Sequence, residues 1–278
     1  MEYIVFTAFA GEGEILVLGF IGAGNMATAI LDGVLNSNLF EPSMIVMSNP
    51  HSDKLSHAQS LGVHVTTNNQ DVARTADLVI VAVKPQKYDV VLSELKDDLA
   101  GKCIISIAAG ISSEWIHSRI PNVQVVRVMP NTPLQRGVGA TAIAQAPDVN
   151  PDMFQTAYNI FAASGTVVVI PECQMDSIIP VSGSSPAFFF RMVDVMVSWA
   201  AEQGIDPDVA LQMAASAMKG SAEMLLKSGK SADELTRQVC SPGGTTLVAL
   251  TVFDDKQFND LIADAMTRCA ERAKELSQ

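Results

Sequence analysis

The first half of the chain alternates short, continuous apolar runs with longer amphipathic stretches. The runs have strand length and lie at 15–21, 44–47, 78–83, 103–107 and 123–128. Runs without polar alternation suit strands buried on both faces of a parallel sheet. Amphipathic stretches separate them, for example at 26–35, 52–60 and 88–99. This rhythm predicts a doubly wound α/β domain, with further edge strands at 138–144 and 166–170 and a helix at 151–163 between them.

After about Pro171 the strand-like runs stop, and long stretches rich in Ala, Met and Leu follow. They lie at 187–203, 208–227, 232–239 and 246–276. Gly204, Gly229 and the pair Gly243-Gly244 stand where helices are expected to end or begin. Several stretches are apolar on more than one face, which predicts burial between subunits. We therefore expect an extension of unclear role at 1–14, an α/β domain at 15–171 and an all-helical domain at 172–278.

Composition and charge narrow the class of protein. Of the 278 residues 48% are hydrophobic and 17% charged, and the net charge of −12 argues against a nucleic-acid partner. The four cysteines form no C-x-x-C pair and predict reduced thiols in a cytoplasmic protein, with no metal site. Arg191 and Asp194 interrupt the apolar run at 178–201, and the opening residues lack a basic leader, so neither a membrane span nor a secretory signal is expected.

A glycine-rich turn follows the first predicted strand. Gly22-Ala23-Gly24-Asn25-Met26-Ala27 matches G-x-G-x-x-A between a strand and a helix. In the Rossmann fingerprint the first Gly allows the tight turn, the second lets a pyrophosphate approach, and the last small residue packs helix on strand. The position of the motif in a βα turn near the chain start favours dinucleotide binding over a purely structural turn.

The end of the second strand bears on which dinucleotide binds. An acidic residue that grips the ribose of NAD is expected there, but the chain reads Ser48-Asn49, with His51 and Lys54 close by. Hydroxyl and amide groups can donate hydrogen bonds to a 2′-phosphate, whereas a carboxylate would repel it. We therefore expect NADPH, with NADH as the alternative; an ordinary polar loop with Asp53 facing solvent is the structural alternative.

Two more loops follow predicted strands, where ligands of open α/β sheets collect. Ala82-Val83-Lys84-Pro85-Gln86 offers Lys84 as a cofactor contact, although solvated surface lysines are common. Ala108-Ala109-Gly110 is small enough to admit a nicotinamide against the backbone, or simply packs closely.

A second glycine turn, far along the chain, predicts an anion site. Ser241-Pro242-Gly243-Gly244-Thr245-Thr246 precedes a helix-like apolar run, and a helix start offers unpaired N–H donors to a carboxylate or phosphate. The alternative is an ordinary helix start with a Ser cap and Pro at its first position.

The histidines (His51, His57, His64 and His117) all lie in the first half, so no Ser-His-Asp or Cys-His set is indicated. The chemistry should then need a reductant and an anion anchor, with little help from a strong side-chain acid. Reduction of an already protonated C=N bond fits that description.

These motifs, in this order, closely resemble pyrroline-5-carboxylate reductases, the last enzymes of proline biosynthesis. The resemblance runs from about residue 17 to the C-terminus and rests on five segments. They are Gly19–Met26, Ala82–Gln86, Val128–Pro133, Gly183–Phe188 and Ser241–Thr246.

The resemblance implies NADPH-dependent reduction of 1-pyrroline-5-carboxylate to L-proline. It also implies a Rossmann domain joined to a helical domain that forms a homodimer, and some family members assemble further into decamers. The expected cofactor-binding residues are Ile21, Gly22, Ala23, Gly24, Asn25, Met26, Ser48, Asn49, His51, Asn69, Ala82, Val83, Lys84, Pro85, Ala108, Ala109 and Gly110. The expected substrate-binding residues are Ser241, Gly243, Gly244, Thr245 and Thr246, with Thr246 as the donor to the ring nitrogen.

Two departures from the family pattern leave the shape of the substrate pocket open. Ser185 stands where the family more often has Gly, and Lys230 where bacterial members often have an acidic residue. The enzymatic rivals are a 3-hydroxyacid dehydrogenase, for which Lys219 is the only mid-helix lysine available, and a reductase of another cyclic imine. A rival of another class is a non-catalytic, NADPH-binding regulatory paralogue.

Overall fold

The apolar runs of the first half assemble into one eight-stranded sheet. The computed structural model of the protein describes residues 9–10, 14–146 and 149–275, so most of the expected extension at 1–14 lies outside it. A short antiparallel pair comes first, β1 (Phe9–Ala10) with β2 (Glu14–Ile15). The strands of the large sheet are, in chain order, β3 (Leu18–Ile21), β4 (Ile45–Ser48), β5 (His64–Thr66), β6 (Leu78–Val81), β7 (Cys103–Ser106), β8 (Gln124–Met129), β9 (Gly139–Gln145) and β10 (Gly165–Val169).

The order of the strands is β10-β9-β8-β7-β6-β3-β4-β5. All neighbouring strands in the run β8-β7-β6-β3-β4-β5 are parallel. Strand β9 runs antiparallel to β8, and β10 is parallel to β9. The chain moves outward in one direction from β3 to β5 and then returns to β6 on the other side of β3. Such a reversal opens a crevice at the carboxyl ends of the central strands.

The helices in the described residues are, in chain order, α1 (Asn25–Asn36), α2 (Ser56–Ser60), α3 (Asn69–Thr75), α4 (Tyr88–Leu99), α5 (Ser113–His117), α6 (Pro151–Ala162), α7 (Met175–Ile178), α8 (Ser185–Glu202), α9 (Pro207–Lys227), α10 (Ala232–Val239), α11 (Thr245–Asp255) and α12 (Phe258–Glu275). Of these helices, α1 to α6 lie between strands of the sheet and α7 to α12 follow β10. Shorter 3-10 segments lie at Pro42–Met44, Ser52–Leu55, Pro85–Lys87, Thr132–Arg136 and Glu172–Gln174, and a π-helical segment at Ile179–Gly183.

Alternate residues of the central strands point into two separate cores. Leu78 and Ile80 of β6 pack in one core with α1 and α6, whereas Val79 and Val81 pack in the other with α3 and α4. All four side chains are fully buried. A strand that is apolar at every position therefore serves two faces at once, which confirms the predicted doubly wound architecture.

The chain packs into two compact units: residues up to Ser184 together with those from Cys269 onward, and residues 185–268. The first unit thus continues past the predicted domain division at 171. Arg127 on β8 explains why, because its guanidinium is buried and pairs with Glu172 at 3.2 Å and with Asp176 at 3.3 Å. These ion pairs hold the segment after β10 against the sheet.

The second unit contains α8 to α11 and the first part of α12. The predicted single helical stretch at 246–276 is wrong, because Gln257 adopts a left-handed backbone (φ 52°) and separates α11 from α12. The apolar positions of this unit are largely exposed, including Phe190 (67%) and Trp199 (62%) on α8. No helix within residues 14–146 and 149–275 combines the length and apolarity needed to span a bilayer.

Several boundaries differ from the predicted ones for local reasons. The run at 15–21 splits before β3, since the N–H of Val17 donates to Asp77 Oδ2 at 2.9 Å and leaves the ladder. The stretch at 52–60 is a 3-10 turn followed by α2, and β9 lies inside the sheet between β8 and β10. The short strand β5, at the opposite edge, was not predicted because its three residues are too few and too polar to form an apolar run.

Candidate functional site

The turn between β3 and α1 contains Gly22 and Gly24, and each glycine has a different structural reason. Gly22 has φ +106°, its N–H donates to the carbonyl of Ser48 at 2.9 Å, and an added Cβ would lie 2.8 Å from the carbonyl oxygen of Ala82. Any larger residue would be strained and would collide. An added Cβ on Gly24 would meet no atom within 4 Å, so this position faces open space.

Gly24 is also the N-cap of α1, and no side chain caps the helix. The first N–H groups of α1 therefore remain available at its positive end. Ala27 is buried against the sheet, as the fingerprint requires. The turn fits the pyrophosphate of a dinucleotide on geometric grounds.

The end of β4 differs from expectation in one side chain. Ser48 is fully buried, and its hydroxyl donates to Asn69 Oδ1 at 2.7 Å, with the carbonyl of Phe20 at 3.3 Å. A hydroxyl turned inward cannot contact a ligand phosphate, so the direct role that we expected for Ser48 is corrected. Asn49 and Asn69 are both partly exposed, and His51 is exposed.

The loops after β6 and β7 lie side by side at the same edge of the sheet. Lys84 is exposed and directly precedes the 3-10 turn Pro85–Lys87. Ala108 and Gly110 are buried, and Gly110 has φ +80°. The cofactor residues expected from the sequence are thus brought together along the carboxyl ends of β3, β4, β6 and β7.

A buried tyrosine ties these two loops together, and the sequence did not reveal it. The hydroxyl of Tyr88 lies 2.7 Å from the carbonyl of Val81, the last residue of β6, and 3.1 Å from Ser106 Oγ, the last of β7. Burial raises the pKa of Tyr88 far above its usual value, which outweighs the lowering by the hydrogen bond with Ser106. The only available signal was a lone Tyr at a predicted helix start.

Asn131, in the motif that follows β8, has a structural role. It is buried, its Nδ2 donates to the carbonyl of Ser182 at 3.0 Å, and its Oδ1 accepts from the N–H of Ala140 at 2.9 Å. Asn131 is also the N-cap of the 3-10 turn Thr132–Arg136, in which Pro133 is the second residue.

The second unit carries the other glycine turn. Gly243 has φ +72°, and the N–H of Gly244 closes the turn by donating to the carbonyl of Ser241 at 2.9 Å. Gly244 is the N-cap of α11, and no side chain caps that helix. The alternative of a Ser-capped helix with Pro at its first position is therefore wrong, because Pro242 precedes the glycines and α11 begins at Thr245.

The first intrahelical hydrogen bond of α11 runs from the N–H of Val248 to the carbonyl of Gly244. The N–H groups of Thr245, Thr246 and Leu247 therefore lie in the first turn, where a helix offers them no acceptor. Thr245 is exposed and Thr246 partly exposed. These N–H groups and hydroxyls could receive a carboxylate with no formal cation among them.

The residues that we singled out as departures are unstrained or exposed. Ser185 is the first residue of α8 and is buried, and its φ is negative, so it does not need the freedom of Gly. Lys230 is exposed, and its N–H donates to Ser228 Oγ at 3.2 Å. Lys219 is exposed on α9.

The sequence is similar to known proteins over nearly its whole length. The family model "Pyrroline-5-carboxylate reductase dimerisation" matches residues 172–276, and "NADP oxidoreductase coenzyme F420-dependent" matches residues 17–110. Pyrroline-5-carboxylate reductases of Methanosarcina acetivorans and Escherichia coli are each 37% identical, over 94% of this chain and 98% of the relative.

Solved structures of pyrroline-5-carboxylate reductases are similar to this chain as well. The pyrroline-5-carboxylate reductase of Coxiella burnetii is 34% identical with a TM-score of 0.87, covering 95% of this chain and 100% of that one. The pyrroline carboxylate reductase of Plasmodium falciparum, solved with NADP bound, is 27% identical with a TM-score of 0.88, over 95% of this chain and 98% of that one.

Proposed function

This chain belongs to the pyrroline-5-carboxylate reductase family, and we propose how its residues carry out the reduction of 1-pyrroline-5-carboxylate to L-proline with NADPH. The observation that carries the assignment is similarity over nearly the whole length of chain and relative. The chemistry of the two glycine turns agrees with it: one suits a pyrophosphate and the other a carboxylate.

The carboxyl edge of the sheet is proposed to hold the cofactor. Open space at Gly24 and the uncapped start of α1 would receive the pyrophosphate. Asn49 and Asn69 would receive the 2′-phosphate, and the small residues Ala108 to Gly110 would lie against the nicotinamide. When bound there, NADPH supplies the hydride that reduces the C=N carbon.

The start of α11 is proposed to hold the substrate carboxylate. The N–H of Gly244 is already used within the turn, so the binding donors are the N–H of Gly243 and those of Thr245 and Thr246. Because the net charge of the chain is −12, an anion must be held by such local dipoles.

Thr246 is proposed as the residue that supports the ring nitrogen. The substrate is an imine that is protonated before reduction, so no strong side-chain acid is required. A protonated imine nitrogen has no free lone pair, so the hydroxyl of Thr246 would accept a hydrogen bond from its N–H instead of donating one. Hydride then reaches the carbon, and the nitrogen keeps its proton and becomes a secondary amine. Positioning of this kind is the main contribution that the protein makes.

The helical domain, proposed as 172–278, would form the homodimer. Exposed apolar side chains on α8 and α9, such as Phe190 and Met213, exceed what a monomer normally leaves in water. A decamer built from five such dimers is the further assembly that we propose.

The four cysteines, all within the described residues, form no disulfide, which supports the proposed cytoplasmic location.

The test is the initial rate of NADPH oxidation by the purified protein with 1-pyrroline-5-carboxylate, with NADH run beside it. Rapid turnover that is faster with NADPH is expected. 1-Pyrroline, which lacks the carboxylate, is the control substrate and should saturate poorly. NADPH binding without turnover on either imine would overturn the proposal in favour of a regulatory paralogue.

A further inference from the structure

Two asparagine side chains at the carboxyl end of β4 are each held by their carbonyl oxygen. Asn49 Oδ1 accepts the backbone N–H of His51 at 3.0 Å. Asn69 Oδ1 accepts the hydroxyl of Ser48 at 2.7 Å. Since a backbone N–H can only donate, the first bond fixes which end of the Asn49 amide is occupied. Its NH2 group is left for a ligand.

The orientation of Asn69 depends on Ser48. The Ser48 hydroxyl is fully buried, so water does not compete for it, and its distance to Asn69 is shorter than the 3.3 Å to the carbonyl of Phe20. It therefore donates to Asn69 and leaves the NH2 group of that amide outward. The first helical residue of α3 and the tip of β4 thus present two amide donors.

A carboxylate two residues after Asn69 in the chain has hydrogen-bond partners of its own. Asp71, also on α3, accepts hydrogen bonds from Thr66 Oγ1 at 2.6 Å and from Asn68 Nδ2 at 3.4 Å. Its charge is thus engaged within the loop between β5 and α3. This leaves donors as the distinguishing feature of the β4 end.

We propose that Ser48 is a positioning residue that sets the preference for NADPH over NADH by orienting the amide of Asn69. A 2′-phosphate only accepts hydrogen bonds, so it needs the NH2 end of that amide. The 2′-hydroxyl of NADH both donates and accepts, so it can pair with either end. The orientation of Asn69 therefore matters to one cofactor and hardly to the other. The inference rests on the proposed cofactor site.

Removal of the hydroxyl should reverse the amide. In Ser48→Ala the part-buried oxygen of Asn69 loses the hydroxyl that donates to it, and an acceptor left without its donor is unfavourable. Without that bond the amide is no longer held in one orientation, and the reversed orientation presents its oxygen to the ligand. The 2′-phosphate of NADPH then meets the amide oxygen of Asn69, which repels it, or binds only after the amide turns back.

The experiment measures dissociation constants of NADPH and NADH by titration calorimetry without substrate. For Ser48→Ala we expect NADPH to bind about tenfold more weakly and NADH to bind as in the wild type. Ser106→Ala is the matched control: a buried serine that also ends a strand, but whose partner is Tyr88. It should leave the ratio of the two constants unchanged.

A second variant protects the test against misfolding. Asn69→Asp keeps the shape and the bond from Ser48 but presents a carboxylate oxygen, so NADH should become the tighter ligand. Equal weakening of both cofactors in Ser48→Ala, or an unchanged ratio in Asn69→Asp, would overturn the inference. If the variants show these shifts and the wild type does not reduce 1-pyrroline-5-carboxylate, the proposed function is refuted and this inference stands.

Discussion

The hydroxyl of Tyr88 donates a hydrogen bond of 2.7 Å to the carbonyl oxygen of Val81. With that proton committed, the hydrogen bond of 3.1 Å between Tyr88 and Ser106 Oγ must be donated by the serine. One buried side chain thus joins the last residues of β6 and β7, and the two proposed cofactor loops begin immediately after them. The bridge sets the spacing of those loops.

Tyr88→Phe removes this bridge without creating a large cavity. We expect a loss of about 1–2 kcal/mol in the free energy of unfolding, measured by urea denaturation. NADPH and NADH should bind more weakly to a similar degree, because both use the same loops. Tyr158→Phe, on α6 at the opposite core, is the control and should change neither quantity to this extent. Intact cofactor binding in Tyr88→Phe would contradict the role of the bridge.

Gly244→Ala tests the carboxylate site. An added Cβ would lie 3.0 Å from the carbonyl oxygen of Ser241 and would collide with its hydroxyl, so the Ser241 side chain must rotate away and its carbonyl must move slightly. We expect the KM for 1-pyrroline-5-carboxylate to rise about tenfold, with the dissociation constant of NADPH unchanged. Turnover of 1-pyrroline, which has no carboxylate, should be nearly unaffected. A normal KM would exclude the turn as the carboxylate site.

Thr246→Ala tests the support of the ring nitrogen. We expect kcat to fall about tenfold while NADPH binds as before, and Thr246→Ser should restore most of the rate. Thr251→Ala on the same helix is the control, since its hydroxyl donates to the carbonyl of Val248 at 2.7 Å. Wild-type turnover in Thr246→Ala would remove this residue from the mechanism.

The ion pair of Arg127 with Glu172 predicts a loss of stability in acid. Burial alone would raise the pKa of Glu172, but hydrogen bonds from Ser113 and the charge of Arg127 outweigh it and lower the pKa below its ordinary value of 4.5. A carboxyl with a depressed pKa stabilises the fold above its unfolded pKa. That contribution is therefore lost as the pH falls from about 4.5 downward.

Glu172→Gln should lower the free energy of unfolding by about 2 kcal/mol at neutral pH, because Arg127 is buried and, of its two acidic partners in the described part of the chain, keeps Asp176. Its unfolding free energy should also vary less with pH below about 4.5. Asp233→Asn, which loses an exposed pair with Arg237, should be indistinguishable from the wild type. If the variant and the wild type lose stability in parallel on acidification, Glu172 is not the source.

Phe190→Glu tests the proposed homodimer. Phe190 on α8 is 67% exposed in the single chain, and a charge there would have to be buried in an apolar interface. Sedimentation velocity should show a shift from oligomer to smaller species. Val90→Glu on α4, also an exposed apolar position at 55%, should leave the sedimentation profile unchanged. An intact oligomer in Phe190→Glu would place the interface elsewhere.

The local patterns determined the elements and the two glycine turns. The apolar runs became β3, β4, β6, β7 and β8 because a strand buried on both faces must be apolar at every position. Gly22 and Gly243 adopt positive φ angles that favour glycine. Such features depend on residues adjacent in the chain, so they can be read from it.

The partners of polar side chains were decided only by the tertiary structure. Ser48 turns inward to Asn69, Tyr88 reaches Ser106, and Arg127 pairs with Glu172, which is 45 positions away. Each of these bonds joins elements that meet only when the sheet is assembled, and burial decides which partner a polar group takes. The sequence therefore identifies the residues suited to bind a cofactor, whereas the direction in which each side chain points depends on the packed fold.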